Sequence, residues 1–289
     1  GQVSTLAGTG DAGSADGVAS ATEFFMPMGV ELSSTRTYVY VADSSNHVVR
    51  RTFASSGSTD TTLGSGAEGF DDGTAGAATF RFPSGISERG GNIYVADTDN
   101  HAVRYADVEA TTVTVSTVAG TGAPGDSNGL GGAAMFRFPS DVQLSDDASL
   151  VYIADTGNHM VRRLTLATGV VDTLAGTSGV RGLLSDPWGL TEDGFGSLYV
   201  SCEGNGYAFL YVAESGANRI TEIRRTTGVS EVITPASADA GDTNGGLSSA
   251  RFNGPSGVTF GAGASSSILF VADTSNQKLR EIAVTGSGI

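Results

Sequence analysis

The chain has 289 residues, of which 39% are hydrophobic and 42 are glycine. Its 31 acidic and 16 basic residues give a formal net charge of −15, whereas binding to a nucleic-acid phosphate backbone requires basic patches. We therefore expect no nucleic-acid partner. We also expect no insertion into a membrane, because no apolar run approaches the roughly 18 residues that a membrane helix needs.

The cysteine and lysine content bears on the compartment. Cys202 is the single cysteine, so no disulfide can form within the chain, as in a reduced compartment or in a secreted fold large enough to need none. Lys278 is the only lysine among the basic residues, and abundant Asp with scarce Lys suits a salty or extracellular setting. The composition thus favours a secreted or extracellular module. Because the chain begins with Gly1 and lacks a basic-then-apolar leader, we expect a mature or excised segment.

In chain order, the first predicted element is a short strand followed by a glycine-rich loop. The strand VSTLAG covers residues 3–8, and an Asp-Gly pair stands in the loop at Asp16-Gly17. The motif Phe-x-x-Pro follows at residues 24–27, and another short strand is predicted after its proline. Equivalents of the first strand lie at 61–66, 115–120, 171–176 and, more loosely, 229–234, and the Phe-x-x-Pro motif returns at 80–83, 136–139 and 252–255. We expect the aromatic residues of this motif in the core.

The clearest repeat is an apolar run, a polar turn and a second strand. It reads YVYVADSSNHVVRR at residues 38–51, returns at 93–104, 151–163 and 269–280, and has an altered copy at 210–223. The Val-, Tyr- and Ile-rich run predicts a strand covered on both faces. The Asp can accept backbone N–H bonds in the turn, and alternation resumes after it. Each copy is therefore predicted to be a β-hairpin.

These elements give four strands per repeat, at a period that indicates a propeller. The acidic residue at the end of the hairpin's first strand recurs after 54, 58, 59 and 59 residues, from Asp43 to Asp273. Such periods with four antiparallel strands each are typical of propeller blades. We predict one all-β domain over residues 1–289 with five blades, or six if residues 198–201 form an extra strand. The N-terminal strand at 3–6 should complete the last blade by pairing with residues 280–284, which closes the ring.

The combined pattern resembles the NHL repeat family of β-propellers. The likeness rests on P-x-G-[IVL], then Y-V-A-D-x-x-N-H-x-[VI]-R, then V-x-T-L-A-G-x-G, and it covers nearly the whole chain. It implies a propeller that serves as a binding platform, as most of this family do. Some relatives are enzymes, including an amidating lyase whose propeller carries metal, so the resemblance implies fold more strongly than function.

Strand parity places the glycine-rich loops and the Asp–Asn turns on one side of the predicted sheets. Loops on a rigid scaffold are where function tends to lie, and a negative surface attracts cations or basic partners. The alternative is a solvated acidic surface without a ligand. The candidate binding residues are Asp16, Asp71, Asp72, Asp126, Asp239 and Asp242, and Asp11 and Asp99 belong to the same side.

Two repeated sets of residues are predicted to be structural. Asp and Arg recur seven residues apart, and across a hairpin an Arg can bind a carboxylate through both nitrogens. We take these pairs as turn locks: Asp43 and Arg50, Asp97 and Arg104, Asp155 and Arg162, Asp273 and Arg280. His47, His101 and His159 occupy one repeat position, and roughly 12–15 Å between neighbouring copies argues against a shared zinc ion. We expect these histidines to pack or hydrogen-bond in the turns.

Metal and cofactor sites have weak candidates. The Gly/Asp loops are rich in oxygen ligands without the EF-hand spacing, so calcium is a candidate ligand and plain loops are the alternative. Carboxylates on the predicted innermost strands are Glu31, Glu88, Asp141 and Glu192. No other cofactor is expected.

The fourth repeat breaks the pattern through the insertion SLYVSCEGNGYAF at residues 197–209. Trp188, Cys202 and Tyr207 are candidate ligand-binding residues there, with a neutral loop exchange as the alternative. From all of this we predict a non-catalytic binding propeller that presents an acidic face to a protein, glycan or cation. The alternative is a metal-assisted lyase or hydrolase with its site at the axis.

Overall fold

The structure is a computed structural model that describes residues 2–179, 186–192, 198–202, 210–214, 219–223, 230–232, 241–246, 250–253, 255–262 and 267–284. Within these ranges the regular elements are antiparallel β-strands and single turns of 3-10 helix. The chain divides into two compact units: unit 1 is Gly1–Thr61 with Phe209–Ile289, and unit 2 is Thr62–Ala208. None of the described segments is a helix long and apolar enough to cross a membrane.

The strands are described in chain order. They are β1 (Gln2–Ala7), β2 (Pro27–Leu32), β3 (Tyr38–Asp43), β4 (Val48–Phe53), β5 (Thr59–Leu63), β6 (Gly73–Thr74), β7 (Pro83–Arg89), β8 (Asn92–Asp97), β9 (Ala102–Asp107), β10 (Thr114–Ala119), β11 (Gly129–Leu130), β12 (Pro139–Leu144), β13 (Leu150–Asp155), β14 (Met160–Thr165), β15 (Val170–Gly176), β16 (Pro187–Glu192), β17 (Leu198–Cys202), β18 (Leu210–Glu214), β19 (Arg219–Ile223), β20 (Ser230–Val232), β21 (Gly245–Gly246), β22 (Pro255–Ala262), β23 (Ser267–Asp273) and β24 (Lys278–Val284). Single 3-10 turns lie at Ser44–Asn46, Thr98–Asn100, Gly131–Ala133, Thr156–Asn158 and Thr274–Asn276.

Unit 2 contains two sheets of the same design. Their strand orders are β6-β10-β9-β8-β7 and β11-β15-β14-β13-β12. In each sheet the third and fourth strands of this order form the predicted hairpin, with Val95 opposite Arg104 in one and Ile153 opposite Arg162 in the other. The apolar runs are buried as expected for strands covered on both faces.

The prediction of four strands per blade is wrong for three of the described sheets, each of which has five strands. The additional strand is a two-residue piece of the glycine-rich loop at the sheet's outer edge, as where Gly73 pairs with Val115. Gly73 has a φ of 159°, a backbone angle that side chains rarely adopt. The neighbouring Asp72 is bound by the buried Arg104. These two features hold the loop against β10.

Unit 1 contains a four-stranded sheet, β2-β3-β4-β5, and a five-stranded sheet, β21-β1-β24-β23-β22. In the second of these the N-terminal strand β1 lies antiparallel to β24, with Val3 opposite Ile282. Strands from the two ends of the chain therefore share one sheet.

The irregular fourth repeat forms two small sheets. In unit 2, β17 pairs with β16, and Leu190 lies opposite Val200. In unit 1, β18, β19 and β20 form a three-stranded sheet. The strand considered at residues 198–201 is thus present, and it pairs with the strand that begins at Pro187.

Neighbouring sheets of unit 2 approach closely at their first strands, where β12 lies beside β7 and β16. A Cβ added to Gly85 of β7 would lie 2.4 Å from Cα of Asp141 on β12, so only glycine fits there. The equivalent residues of the other first strands are Gly29, Gly189 and Gly257, whereas β12 has Asp141. One repeat therefore carries a carboxylate where the rest have no side chain.

The core lies between the sheets. The first aromatic residue of each Phe-x-x-Pro motif is fully buried, at Phe24, Phe80, Phe136 and Phe252, which confirms the core assignment. In unit 2, Phe136 packs with Ile153 and Leu144 of its own sheet and with Ala96 of the preceding one. Burial of such aromatic residues contributes about 1.5–3 kcal/mol each.

Candidate functional site

The site begins at the hairpin turns, where the sequence Asp-x-x-Asn folds into one turn of 3-10 helix. In the second hairpin this turn is Thr98–Asn100, and His101 follows it in the left-handed conformation with a φ of 51°. The N–H of His101 donates to the carbonyl of Thr98. His47, His159 and Gln277 take the same conformation in their hairpins.

Each turn is fixed by the buried Asp that precedes it. Oδ1 of Asp97 accepts the N–H of Arg81 at 2.7 Å, and Oδ2 accepts Nδ2 of Asn100 at 2.9 Å and Nη1 of Arg104 at 2.7 Å. The other three Asp–Arg pairs are joined at 2.8 Å, and all eight side chains are completely buried. These pairs are the four predicted turn locks.

The arginine of each pair also ties the preceding glycine-rich loop to the hairpin. Nη1 of Arg104 donates to the carbonyl of Thr79, while Nη2 donates to the carbonyl of Asp71 at 2.9 Å and to Oδ1 of Asp72 at 2.8 Å. Its guanidinium group also lies over the rings of Phe70 and Phe80, 5.1 Å from each centroid. One side chain therefore holds both ends of the loop.

The loop acceptor is an Asp in two repeats and an Asn in two others. Asp16 binds Nη2 of Arg50 at 2.7 Å, and Asn128 and Asn244 bind the equivalent atoms of Arg162 and Arg280, also at 2.7 Å. Sequence reasoning placed Asp16 and Asp72 on a binding face and did not foresee this contact. The signal was the Asp/Asn-Gly pair that precedes each buried arginine by 32–36 residues.

Burial dominates the electrostatics of the turn carboxylates. Desolvation raises the pKa of Asp97 to about 6. The hydrogen bonds from Asn100, from the N–H of Arg81 and from Arg104 act in the opposite direction and lower the pKa, but they do not outweigh burial. Desolvation likewise raises the pKa of Asp43, Asp155 and Asp273. With a pKa of about 6, the carboxylate of Asp97 is ionised at neutral pH and paired with Arg104.

The loops and turns of unit 2 meet at one edge of its sheets. Nδ2 of Asn100 donates to the carbonyl of Gly69, and the N–H of Asp99 donates to the carbonyl of Arg81. Nδ2 of Asn158 donates in the same way to the carbonyl of Gly125. We call this edge, formed by residues 64–82, 98–101, 120–138 and 156–159, the loop edge of unit 2.

The predicted binding carboxylates separate into two groups. Asp16, Asp72 and Asp242 are paired, the last with Lys278 and, at 3.6 Å, with Arg280. Asp11, Asp71 and Asp126 are exposed and Asp99 is half-buried, and none of the four forms an ion pair with a described residue. Asp239 lies outside the described residues.

The two histidines of unit 2 accept hydrogen bonds from separate backbone groups. Nδ1 of His101 accepts the N–H of Phe138 at 3.1 Å, and Nδ1 of His159 accepts the N–H of Asp186 at 3.1 Å. Oε1 of Gln277 accepts the N–H of Met26 in the same way. Burial lowers the pKa of His101, which keeps the ring neutral and able to accept this bond.

The carboxylates of the first strands have separate surroundings. Oδ2 of Asp141 accepts the N–H of Leu190 at 2.7 Å and Oδ1 accepts the N–H of Val142 at 2.9 Å. Some of the Asp141 residue remains accessible, but dense packing around the carboxyl group raises its pKa to about 7. Glu88 accepts the N–H of Gly91, Glu31 has partners of its own, and the side chain of Glu192 lies outside the described part. The described residues contain no cluster of three or more His, Cys, Asp or Glu that could hold a metal ion.

Of the insertion candidates, Trp188 contributes its carbonyl, which accepts the hydroxyl of Ser140 at 2.7 Å. Cys202 ends β17 opposite Pro187, and nothing is described of its side chain. Tyr207 lies outside the described residues.

Sequence reasoning missed the residue that precedes the proline of Phe-x-x-Pro. Met26, Phe82 and Phe138 stand there with φ of 52°, 47° and 48°, and each is at least one-third exposed. The signal was visible as a large apolar residue in a position that Gly254 fills in another repeat.

The described residues form antiparallel sheets built from hairpin repeats, as in the β-propellers to which the fold is similar. The NHL repeat matches residues 80–104. NHL repeat-containing protein 2 of Homo sapiens is 26% identical over 97% of this chain, and Protein SUPPRESSOR OF QUENCHING 1, chloroplastic, of Arabidopsis thaliana is 27% identical over 96%. The chain therefore contains a match to the NHL repeat and is similar over most of its length to NHL repeat-containing proteins.

The similarity covers only part of the length of these two relatives. The chain spans 42% of the human protein and 27% of the Arabidopsis protein. Among solved structures, virginiamycin B lyase from Staphylococcus aureus is similar with a TM-score of 0.56 and 13% identity, covering 98% of this chain and 99% of that one. At this identity the likeness concerns the fold alone.

Proposed function

We propose that the chain is a non-catalytic, protein-binding propeller of five blades, or of six if β16–β17 and β18–β20 each belong to a separate blade. In this proposal β1 completes the last blade and closes the ring. The pairing of β1 with β24 supports the closure. The five hairpin repeats and the fold-level similarity over 98% of the chain support the propeller.

The binding surface in this proposal is the loop edge, and its partner is a protein with a basic surface. The observation that carries the proposal is the set of exposed carboxylates on loops that buried arginines hold in place. Asp71 and Asp126 have no cationic partner among the described residues. Asp71 precedes Asp72, whose side chain is bound by Arg104, and Asp126 precedes Ser127, whose carbonyl is bound by Arg162. Fixed carboxylates in excess attract a cationic partner and steer its approach.

A capture experiment at two salt concentrations tests the proposal. The immobilised chain should retain a basic protein from an extract at low salt and release much of it at high salt, because screening weakens exposed charge interactions. The variant Asp71→Asn/Asp126→Asn should retain less. Glu109→Gln is the matched control, since Glu109 is an exposed carboxylate in the turn after β9, away from the loop edge. Capture that is equal for all three proteins and independent of salt would refute the proposal.

An enzyme is the second candidate, and Asp141 is the observation that favours it. A desolvated carboxyl group with a pKa of about 7, on a first-strand residue that is itself partly accessible, has the property expected of an acid or base in catalysis. No further group beside it on the described strands completes a catalytic set. If the chain is a metal-assisted lyase or hydrolase, titration with a divalent metal should show one bound ion per chain. The variant Asp141→Asn should not bind that ion.

A further inference from the structure

The aromatic residues before the two prolines of unit 2 occupy a conformation that suits them poorly. Phe82 and Phe138 have φ of 47° and 48°. A left-handed backbone is unfavourable for residues with a Cβ and an outlier for bulky ones. Other repeats carry residues that tolerate it better, since Asp186 stands there with a φ of 51° and Gly254 holds the position in the last repeat.

Burial of the rings does not compensate for this unfavourable backbone conformation. Phe82 is 37% exposed and Phe138 is 48% exposed, so much of each ring faces solvent. The ring of Phe138 meets that of His101 edge-on at 4.6 Å, and its N–H is the one that His101 accepts. This hydrogen bond uses only the backbone N–H of position 138, so any residue except proline could donate it.

The backbone around both aromatic residues is held firmly. Oδ1 of the buried Asp97 accepts the N–H of Arg81, and Oδ1 of Asp155 accepts the N–H of Arg137. The prolines that follow begin strands β7 and β12. Strained residues persist where the surrounding structure fixes them, and they concentrate at functional positions.

The loop edge of unit 2 carries five acidic residues against two basic ones, Arg81 and Arg137, which stand next to the two rings in the chain. Asp99 bonds through its backbone to Arg81, next to Phe82, and Asp126 follows Gly125, whose N–H donates to the carbonyl of Phe136. Neither carboxylate has a cationic partner among the described residues, while Arg81 is paired with Glu68. The chain already shows how cations meet its phenyl rings, because guanidinium groups lie 5.1–5.3 Å above Phe80 and Phe136.

We propose that Phe82 and Phe138 are the anchoring contacts of the loop edge of unit 2 for a basic peptide segment of a partner protein, whose cationic and apolar side chains pack on the two rings. This proposal rests on the proposed function and adds to it the chemistry of the partner. Exposed aromatic residues on a fixed backbone are typical centres of binding energy, and cations favour the faces of aromatic rings.

The test uses peptides as the probe. A phage-displayed library of random 12-residue peptides is selected on the wild-type chain at low salt, and the selected peptides are synthesised for fluorescence anisotropy. The selected sequences should be enriched in Arg or Lys beside apolar residues. Their affinity should fall at least about tenfold for Phe82→Gly/Phe138→Gly, as for truncated anchor residues. Val170→Ala is the control, because Val170 is similarly exposed at the start of β15 and should bind as the wild type does.

Stability separates anchoring from a structural role. Glycine relieves the left-handed strain, so the melting temperature of Phe82→Gly/Phe138→Gly should equal or exceed that of the wild type. A marked fall in melting temperature would show that the rings are structural and would overturn the proposal. Failure to select any peptide, absence of basic residues among those selected, or equal affinity for the double variant would also overturn it.

A third variant distinguishes this inference from the proposed function. Asp99→Asn/Asp126→Asn removes charge at the loop edge and leaves the rings in place. Peptides that lose affinity for this variant but not for the phenylalanine variant would support an acidic binding surface and reject aromatic anchoring. Loss with the phenylalanine variant alone would support anchoring and reject the electrostatic part of the proposed function.

Discussion

Nη1 of Arg104 lies 2.7 Å from Oδ2 of Asp97, and neither side chain has any surface in contact with water. The two residues are not opposite each other in the hairpin, since Arg104 pairs with Val95 and Asp97 with Ala102. The guanidinium group reaches along the sheet to the carboxylate. Four hairpins bury such a pair, so the stability of the fold depends on keeping both charges.

Removal of one partner of this pair should therefore be strongly destabilising. Asp97→Ala leaves the guanidinium group of Arg104 buried without its carboxylate, and we expect the free energy of unfolding to fall by about 3–5 kcal/mol. The measurement is urea-induced unfolding followed by circular dichroism. Asp172→Ala is the control, because the Asp172–Arg163 pair at 2.6 Å is partly exposed and should contribute less than about 1 kcal/mol. Equal losses in the two variants would contradict a special role for the buried pair.

The loop acceptor of the arginine should be exchangeable between Asp and Asn. Asp72 and Asn128 receive the same bond from Arg104 and Arg162, at 2.8 and 2.7 Å, so Asp72→Asn should change the free energy of unfolding by less than about 1 kcal/mol. Asp72→Ala should lower it by about 1–3 kcal/mol, because Nη2 of Arg104 loses a partner. The reverse exchange, Asn128→Asp, should be tolerated. A large loss on Asp72→Asn would mean that charge rather than hydrogen bonding holds the loop.

Asp141 should make stability depend on pH. Its pKa is about 7 in the folded chain against a usual value of 3.8, and no charged group contributes to that shift. Between about pH 4 and 7 the unfolded chain releases this proton and the folded chain keeps it, so stability falls as pH rises. Asp141→Asn should lack this component, and its advantage over the wild type should grow across the window to at most about 4 kcal/mol.

Two comparisons make the Asp141 prediction specific. Asp141→Gly restores the residue found in the other first strands and should show the same loss of pH dependence. Unfolding would be measured at intervals from pH 4 to 8. Parallel stability curves for wild type and Asp141→Asn would show that the carboxyl group is ionised throughout the window and would contradict the prediction.

His101 should make the stability depend on pH in the opposite direction, so that stability falls as the pH falls. Burial lowers its pKa below 6.5, and a proton on Nδ1 would remove the acceptor for the N–H of Phe138. Stability from this group is therefore present above about pH 6.5 and lost as pH falls through the folded pKa. His101→Gln should retain the hydrogen bond, as Gln277 does, without the loss at acidic pH. His101→Ala should be less stable at every pH, and a Gln variant as unstable as the Ala variant would refute this role.

The sequence predicted the parts of the fold that repeat with a simple period. The hairpins, the buried first aromatic residue of Phe-x-x-Pro and the close contact of Asp with Arg follow from local patterns of apolar residues and from seven-residue spacing. The strand β6 could not be foreseen, because two residues carry no periodicity. The bond from Arg104 to Asp72 joins residues 32 apart, and it becomes visible only when a loop and a hairpin are placed together.

The exposed aromatic residues illustrate a different difficulty. A Phe before a proline appears ordinary in a sequence, and only the backbone angle of 48° at Phe138 shows that the residue is under strain. The significance of Asp141 was partly visible, because it interrupts a run of glycines at one repeat position. Its low polarity surroundings depend on the packing of β7, β12 and β16, which the sequence alone does not define.

The short strands β6, β11 and β21 also bear on whether the edges of the sheets can pair with another molecule. An outermost strand with unpaired N–H and C=O groups invites pairing with another molecule and fibre growth. Here the first residues of β10, β15 and β1 are already occupied by a piece of the chain's own loop. By holding each loop in place, the buried arginine therefore also keeps another molecule from pairing with the edge of the sheet. Loss of the arginine would free this edge for intermolecular pairing and aggregation.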